Sequence, residues 1–168
     1  MSIQVDKPVR AFVGVGGNVG EVEVTLAEAL WALDSMPQTS IRAQSRLYRT
    51  PPWGNTEQPP FINGVVELQT RLTARVLLDL LLDIEIRFGR DRAEGEKWGP
   101  RELDLDLLVF GDEQLDEPGM HVPHPHLHER AFVLVPLAEI APSLEIAGVG
   151  CVSELVAAVD TSGIEPIE

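Results

Sequence analysis

Apolar residues recur along this chain with two different periods, and the switches between them outline a fold. Ala11-Phe12-Val13-Gly14-Val15-Gly16 is almost unbroken in apolar character and predicts a buried strand. It runs into Gly16-Gly17-Asn18-Val19-Gly20, a tight glycine turn. Val22, Leu26, Ala29, Leu30 and Leu33 then repeat at helical spacing, with Pro37 beyond the helix end. A second strand is expected over about Gln44 to Thr50, and a third from Phe61 to Thr70 with Ile62, Val66 and Leu68 on one side. Between them lies a proline-rich loop, Pro51 to Pro60. Thr73 is placed to cap a long helix whose apolar stripe is Val76, Leu77, Leu80, Leu81, Ile84 and Phe88, closed by Gly89.

Downstream, a polar and cationic loop from Arg90 to Pro100 precedes a strand that runs to Phe110 and turns at Gly111-Asp112. A short strand is expected over Glu113 to Leu115, and a proline-punctuated loop over His121 to His128. Helices are expected over Ala131 to Ile140 and Val152 to Val159, and a frayed tail over Ser162 to Glu168. The order β-α-β-β-α-β with additions predicts an α+β fold: a ferredoxin-like, mainly antiparallel sheet with helices packed on it as an α/β/α sandwich. No repeat or linker divides the chain, so residues 1–168 read as a single domain with its core over about 10–160.

The strand before Phe110 carries the most informative pattern. Glu102, Asp104 and Asp106 fall on one side, and Leu103, Leu105, Leu107 and Val109 on the other; Leu108 and Phe110 continue the acidic side as core. Carboxylates two apart on a strand sit roughly 6–7 Å apart at Cα and repel unless a cation lies between them. Asp104 and Asp106 could converge on one hard cation, or clamp two of them about 4 Å apart. Oxygen donors alone favour Mg²⁺ over zinc or copper. A solvated acidic surface is the plain alternative. Arg101 beside the acids, with Arg90, Arg92 and Lys97 upstream, points instead to a polyphosphate bridging metal and guanidinium.

Charge narrows the partner. The net charge is −14, which opposes a nucleic-acid partner. Yet six of the thirteen Lys and Arg fall between Arg87 and Arg130, where a local positive pocket suits a small anion. The single cysteine, Cys151, excludes an internal disulfide and a cysteine-based zinc site. No apolar run has the length of a membrane span, and the first ten residues lack an apolar leader core, so a cytoplasmic protein with no membrane partner is expected.

Other positions carry weaker signals. Gly14 and Gly16 begin a G-x-G pattern that Val19 fails to complete, and no P-loop lysine follows. Trp53 on its rigid loop either plugs the core or walls a flat ligand. Asn63 sits inside a strand, where Asn is disfavoured, on the side of Phe61; an amide beside a ring suits a heterocycle. Glu85, late in its helix, is either an exposed flank residue or part of a site. His121, His124, His126 and His128 crowd one loop, but the prolines and the lack of cysteine disfavour a transition metal, leaving phosphate or nucleotide contact by one or two of them.

Together, Gly14 to Gly20, Tyr48-Arg49-Thr50-Pro51-Pro52-Trp53-Gly54, Gln58 to Asn63, Ile84 to Arg92, Trp98 to Asp106 and Val122 to Phe132 resemble the 6-hydroxymethyl-7,8-dihydropterin pyrophosphokinase family of folate biosynthesis. The resemblance spans Phe12 to about Pro142. It implies transfer of diphosphate from ATP to the pterin hydroxymethyl group, with release of AMP. It implies that Asp104 and Asp106 hold two Mg²⁺ ions, that Arg90 and Arg101 meet the phosphates, and that Arg92 and Trp98 close over the site on their loop. Asn63 would read the pterin edge with help from the backbone of Thr50, Pro51 and Trp53. Phe61 and Phe132 would sandwich the ring, and Glu85, His124 and Arg130 would line the ATP side. Two positions differ from the family pattern: Gly17 stands where Ser is usual, and Phe61 where Tyr is frequent. A monomer acting on small molecules is expected. A metal-dependent phosphodiesterase or nuclease, and a non-catalytic pterin- or nucleotide-binding module, are the competing readings.

Overall fold

The computed structural model describes residues 4–18, 20–50, 59–88 and 103–167. Its elements run β1 (Gln4–Gly17), α1 (Val22–Asp34), β2 (Thr39–Gln44), β3 (Tyr48–Thr50), β4 (Phe61–Leu72), α2 (Ala74–Arg87), β5 (Asp104–Phe110), β6 (Leu115–Glu117), β7 (Met120–Val122), a 3₁₀ turn (Leu127–Glu129), α3 (Ala131–Ile140), β8 (Glu145–Ile146), β9 (Gly150–Cys151), α4 (Val152–Ala157) and β10 (Glu165–Pro166). The main sheet has the order β10-β3-β4-β1-β5, with β2 also paired to β4, and every pairing is antiparallel.

Strand β1 is central and covered on both sides. That is why Ala11, Phe12 and Val13 are all fully buried and why its sequence does not alternate. On one side α1 and α2 bury Leu26, Ala29, Leu33, Leu77, Leu81 and Ile84 against Val13, Val15, Val66 and Leu68. On the other side α3 and α4 bury Val133, Leu134, Leu137 and Val152 against Phe12, Val65, Leu108 and Val109. Each fully buried Leu contributes about 1.5–3 kcal/mol relative to exposure. This is the expected sandwich. Thr73 caps α2 as expected, its Oγ1 accepting the Val76 N–H at 3.3 Å. No described helix is long and apolar enough to cross a membrane.

Four expectations need correction. The second strand is two: β2 ends at Gln44, and Ser45 to Leu47 separate it from β3. Gln38, in the left-handed region at φ 55°, turns the chain from α1 into β2, and the Asp34 carboxylate accepts the Ile41 N–H at 2.9 Å. His121 lies in β7, part of a hairpin with β6, rather than in a loop, and β6 starts two residues later than expected. The tail is not frayed at Glu165 and Pro166, which pair with Arg49 and Tyr48.

The fourth correction concerns β5. Phe12 faces Val109 and Val13 faces Leu107, so Leu108 is an extra residue on that strand. Such a bulge interrupts the two-residue alternation. Asp104, Asp106 and Leu108 keep to the α3 side, as expected, but Val109 joins them, and Phe110 crosses to the α1/α2 side with Leu103, Leu105 and Leu107.

Strand β3 is fastened to α3 by a polar cluster. The buried Tyr48 hydroxyl donates to Glu139 Oε1, and the Arg46 backbone N–H donates to Glu139 Oε2 at 3.0 Å. Burial, then donation to Glu139, pushes the Tyr48 phenol above its ordinary range. Burial alone would raise Glu139, but the donors on Tyr48 and Arg46 outweigh it and hold the carboxyl below its usual range. Tyr48→Phe removes a donor to a carboxylate and is expected to lower unfolding free energy by about 1–3 kcal/mol. Urea denaturation checks this, and an unchanged midpoint contradicts it.

Candidate active site

The polar residues singled out from the sequence meet on the α3 side of the sheet because strand pairing aligns them. Tyr48 pairs with Asn63, Asn63 with Gly16, and Gly16 with Asp104. Two residues further along, on the same side, Val65, Gly14 and Asp106 lie in register. Neighbouring strands are about 4.8 Å apart, so Asn63 and Asp104 stand roughly 10 Å apart across the glycine strand. Gly14 and Gly16 leave a lane without side chains between an amide at one edge and two half-buried carboxylates at the other.

Gly16 is needed for close approach, not for an unusual φ. A Cβ there would collide with Asn63 Oδ1 and stand 3.0 Å from the Ile62 carbonyl. A Cβ on Gly14 would only touch Leu108, at 3.6 Å. The positive φ of the turn belongs to Gly20, at 77°. Asn63 Nδ2 donates to Thr50 Oγ1 at 3.1 Å, and Thr50 is paired with Phe61. Asn63, Thr50 and Phe61 therefore form one polar and aromatic corner. Asn18, buried at the end of β1, donates from Nδ2 to the Pro59 carbonyl at 3.0 Å and ties the glycine turn to the lead-in of β4.

The other rim comes from the segment after β7. The His124 N–H donates to the Leu108 carbonyl at 2.9 Å, which fixes His124 beside β5. Burial, then the nearby Arg130 and His126, lowers the His124 pKa to about 4 against a smaller raising effect of Asp104. The ring is thus neutral near pH 7. Its Nδ1 accepts the His126 N–H at 3.2 Å, which puts the proton on Nε2 as a donor. Arg130 precedes α3, its guanidinium 5.7 Å from the Phe132 ring centroid. The remaining histidines disperse: His121 Nδ1 lies 2.6 Å from Asp116, while His126 and His128 lie 3.5 and 3.4 Å from Glu129.

Glu85 is not an exposed flank residue. It is 1% exposed, and its Oε2 accepts the Leu105 N–H at 2.7 Å, between the two aspartates. Sequence reasoning missed this contact. The available signal was its place beside Leu77, Leu81 and Ile84 on the apolar stripe of α2. Pro51, Trp53, Arg90, Arg92, Trp98, Arg101 and Glu102 lie outside the described residues.

Among the described residues no three His, Cys, Asp or Glu side chains form a metal-binding group. Among the described residues, the half-buried carboxylates at the β5 edge of this lane are those of Asp104 and Asp106. One or two carboxylates, completed by phosphate oxygens and water, is the ligand set Mg²⁺ favours. A separate open cleft of about 760 Å³, bounded by Asn18, Glu21, Glu23, Arg49, Pro59 and Ile62, contains neither aspartate.

Comparison with known proteins gives the family and the fold of the chain. The family model described as 7,8-dihydro-6-hydroxymethylpterin-pyrophosphokinase matches residues 12–142. The 2-amino-4-hydroxy-6-hydroxymethyldihydropteridine pyrophosphokinase of Methylorubrum extorquens is 45% identical over 159 residues, covering 95% of this chain and 99% of that protein. The protein of the same name from Pseudomonas aeruginosa is 45% identical over 156 residues, covering 93% and 95%. A crystal structure of an HPPK-DHPS in complex with substrates superposes with a TM-score of 0.71 at 13% identity, covering 90% of this chain. Plasmodium falciparum HPPK-DHPS A437G with pteroate gives 0.70 at 14% identity, again over 90%. Those two likenesses concern the fold, and this chain spans 43% of each of those longer chains.

Two outcomes follow from the geometry. Gly16→Ala is expected to displace Asn63 and weaken binding of a flat heterocycle by at least about tenfold, through a lost hydrogen-bonding edge worth roughly 1–3 kcal/mol, whereas Gly14→Ala binds almost normally; isothermal calorimetry with a pterin reads the contrast, and equal effects refute it. The His124 ring is expected to titrate by NMR near 4 rather than at its ordinary 6.5. Below 6.5 the unfolded chain takes up a proton that folded His124 refuses until about 4, so this group lowers stability as pH falls through that window. A midpoint near 6.5 contradicts the assignment.

Proposed function

The chain belongs to the 7,8-dihydro-6-hydroxymethylpterin-pyrophosphokinase family, and on that premise we propose that it transfers diphosphate from ATP to the hydroxymethyl group of 6-hydroxymethyl-7,8-dihydropterin, releasing AMP, in folate biosynthesis. The observation that carries the reading is the alignment of Asn63, Gly16 and Asp104 across three strands, with Asp106 two residues further on along the same side. It offers a recognition edge for a heterocycle and a carboxylate pair for a charged triphosphate on one surface.

The chemistry asks little of a covalent nucleophile. The pterin hydroxyl oxygen bonds to the β-phosphorus while the bond from that phosphorus to the oxygen of AMP breaks, through a loose transition state governed by alignment and charge. Asn63, held by Thr50, orients the pterin edge, and Phe61 and Phe132 enclose the ring. The backbone of Pro51 and Trp53 assists them. Asp104 and Asp106 would hold two Mg²⁺ ions, which when bound offset the charge of the triphosphate. His124, neutral and with its proton on Nε2, donates to the nucleotide, and Arg130 supplies a fixed positive charge. Arg90, Arg92, Arg101 and Trp98 complete the ATP contacts, the arginines as fork-shaped phosphate donors. The enzyme acts as a cytoplasmic monomer on these two small molecules, without a nucleic-acid partner, and its single domain covers the whole chain.

An assay of AMP formation tests the reading. AMP is expected only when ATP, Mg²⁺ and the hydroxymethyl-dihydropterin are all present. Phosphate release without the pterin points to a hydrolase, and pterin binding without turnover to a binding module. Asp106→Ala is expected to fold normally and to lose turnover by about 10²–10³-fold, the cost typical of one charge-stabilising group. Unimpaired turnover in that variant removes the basis of the metal assignment.

A further inference from the structure

Glu85 is a carboxyl group on the apolar stripe of α2, and its burial there calls for a physical reason. A carboxyl group in an apolar interior is costly unless its partners compensate for the lost water. Here it is 1% exposed on the stripe of α2 that also buries Leu77, Leu81 and Ile84. Its Oε2 receives the Leu105 N–H at 2.7 Å.

Its target is specific. Strand β5 ends the order of the main sheet, so among the described residues its outer edge has no neighbouring strand in that sheet. Backbone N–H groups alternate in direction along a strand. With the Leu105 N–H turned to Glu85, those of Asp104 and Asp106 turn toward β1. A slip of one residue would therefore turn the N–H at that place away from Glu85 and break the bond. The same slip would carry both aspartates to the side where Leu103, Leu105 and Leu107 pack. The strand needs such a fixed point, because the bulge at Leu108 already loosens its pairing further along.

We propose that Glu85 is a positioning residue: by gripping the Leu105 amide from beneath, it sets the spacing and direction of Asp104 and Asp106 as a pair of metal-holding carboxylates. The inference rests on the reading of those aspartates given above. Glu85→Gln keeps an oxygen acceptor, and Glu85→Leu removes it.

Two readouts test this. In metal-free protein, exchange of the Leu105 amide measured by NMR is expected to quicken by at least about tenfold in E85L and by far less in E85Q. The Mg²⁺ concentration for half-maximal turnover is expected to rise about 10–100-fold in E85L, as for other residues that orient metal ligands, and to return to within about threefold of the parent in E85Q. Pterin affinity, read by calorimetry, should move less than about twofold, the scale of a few tenths of a kcal/mol. An unchanged Mg²⁺ response in E85L overturns the proposal. So does an E85Q variant as impaired as E85L, because charge rather than an acceptor would then matter. If E85L does not fold, E85Q decides: a Mg²⁺ response within about threefold of the parent supports positioning, and a larger shift refutes it. Failure of the parent to make AMP would sink the proposed reaction and leave the exchange result standing, so the two failures are distinct.

Discussion

The pairing of β1 with the two strands beside it is the constraint on which the rest of this structure hangs. Gly16 faces Asn63 on one side and Asp104 on the other. The glycine is not a point of flexibility. It is an omitted side chain: the Asn63 amide oxygen occupies the space over Gly16, while the amide nitrogen donates to Thr50 on the other side, in β3. Packing secures the arrangement from both sides. Val13 and Val15 are pinned beneath by the α1/α2 core, and Phe12 above by the α3/α4 core, so β1 cannot shift along its neighbours without opening one core or the other.

Electrostatics at the site is a matter of contrast. The chain carries a net charge of −14, yet the α3 side gathers Arg130 and a histidine whose burial keeps it uncharged. A neutral His124 adds no positive charge but offers a directed donor, because its second nitrogen is occupied by the His126 backbone. Asp104 and Asp106 stand half-buried on the same side of the sheet, so the proposed site sets carboxylates beside a fixed cation and a neutral donor. On the reading proposed above, a phosphate would reach those carboxylates together with a metal ion rather than as a free anion.

Much of this was legible before any coordinates. Helical spacing located α1, α2 and α3, and the Thr73 cap marked the start of α2. The acidic strand and Asn63 stood out because each breaks a local rule, and such breaks tend to mark function. What was not legible depended on tertiary partners. The tail pairs with β3 although its own sequence carries no strand signal, because Arg49 and Tyr48 present an open edge. The split between β2 and β3 turns on Ser45, whose Oγ accepts the Val65 N–H at 2.9 Å in place of a regular ladder. Glu85 read as ambiguous because helical periodicity cannot tell a buried carboxyl with a strand amide to receive from one that faces water.

The additional residue in β5 has a consequence for how this protein can vary. Upstream of Leu108 the strand serves the site, and downstream it serves the interior through Phe110. Leu108 is the one residue that this division of labour can spare: Asp106 and Leu107 face Gly14 and Val13, Val109 and Phe110 face Phe12 and Ala11, and without Leu108 the same four pairs would follow one another as a regular ladder. Its loss would be felt only as a gap in the α3/α4 core, where its side chain packs. The turn joining β6 to β7 is less forgiving, because Met120 and Val122 directly after it fill the α1/α2 core and would change sides if it lost a residue. Length should therefore vary more readily at the swelling of β5 than in that short hairpin.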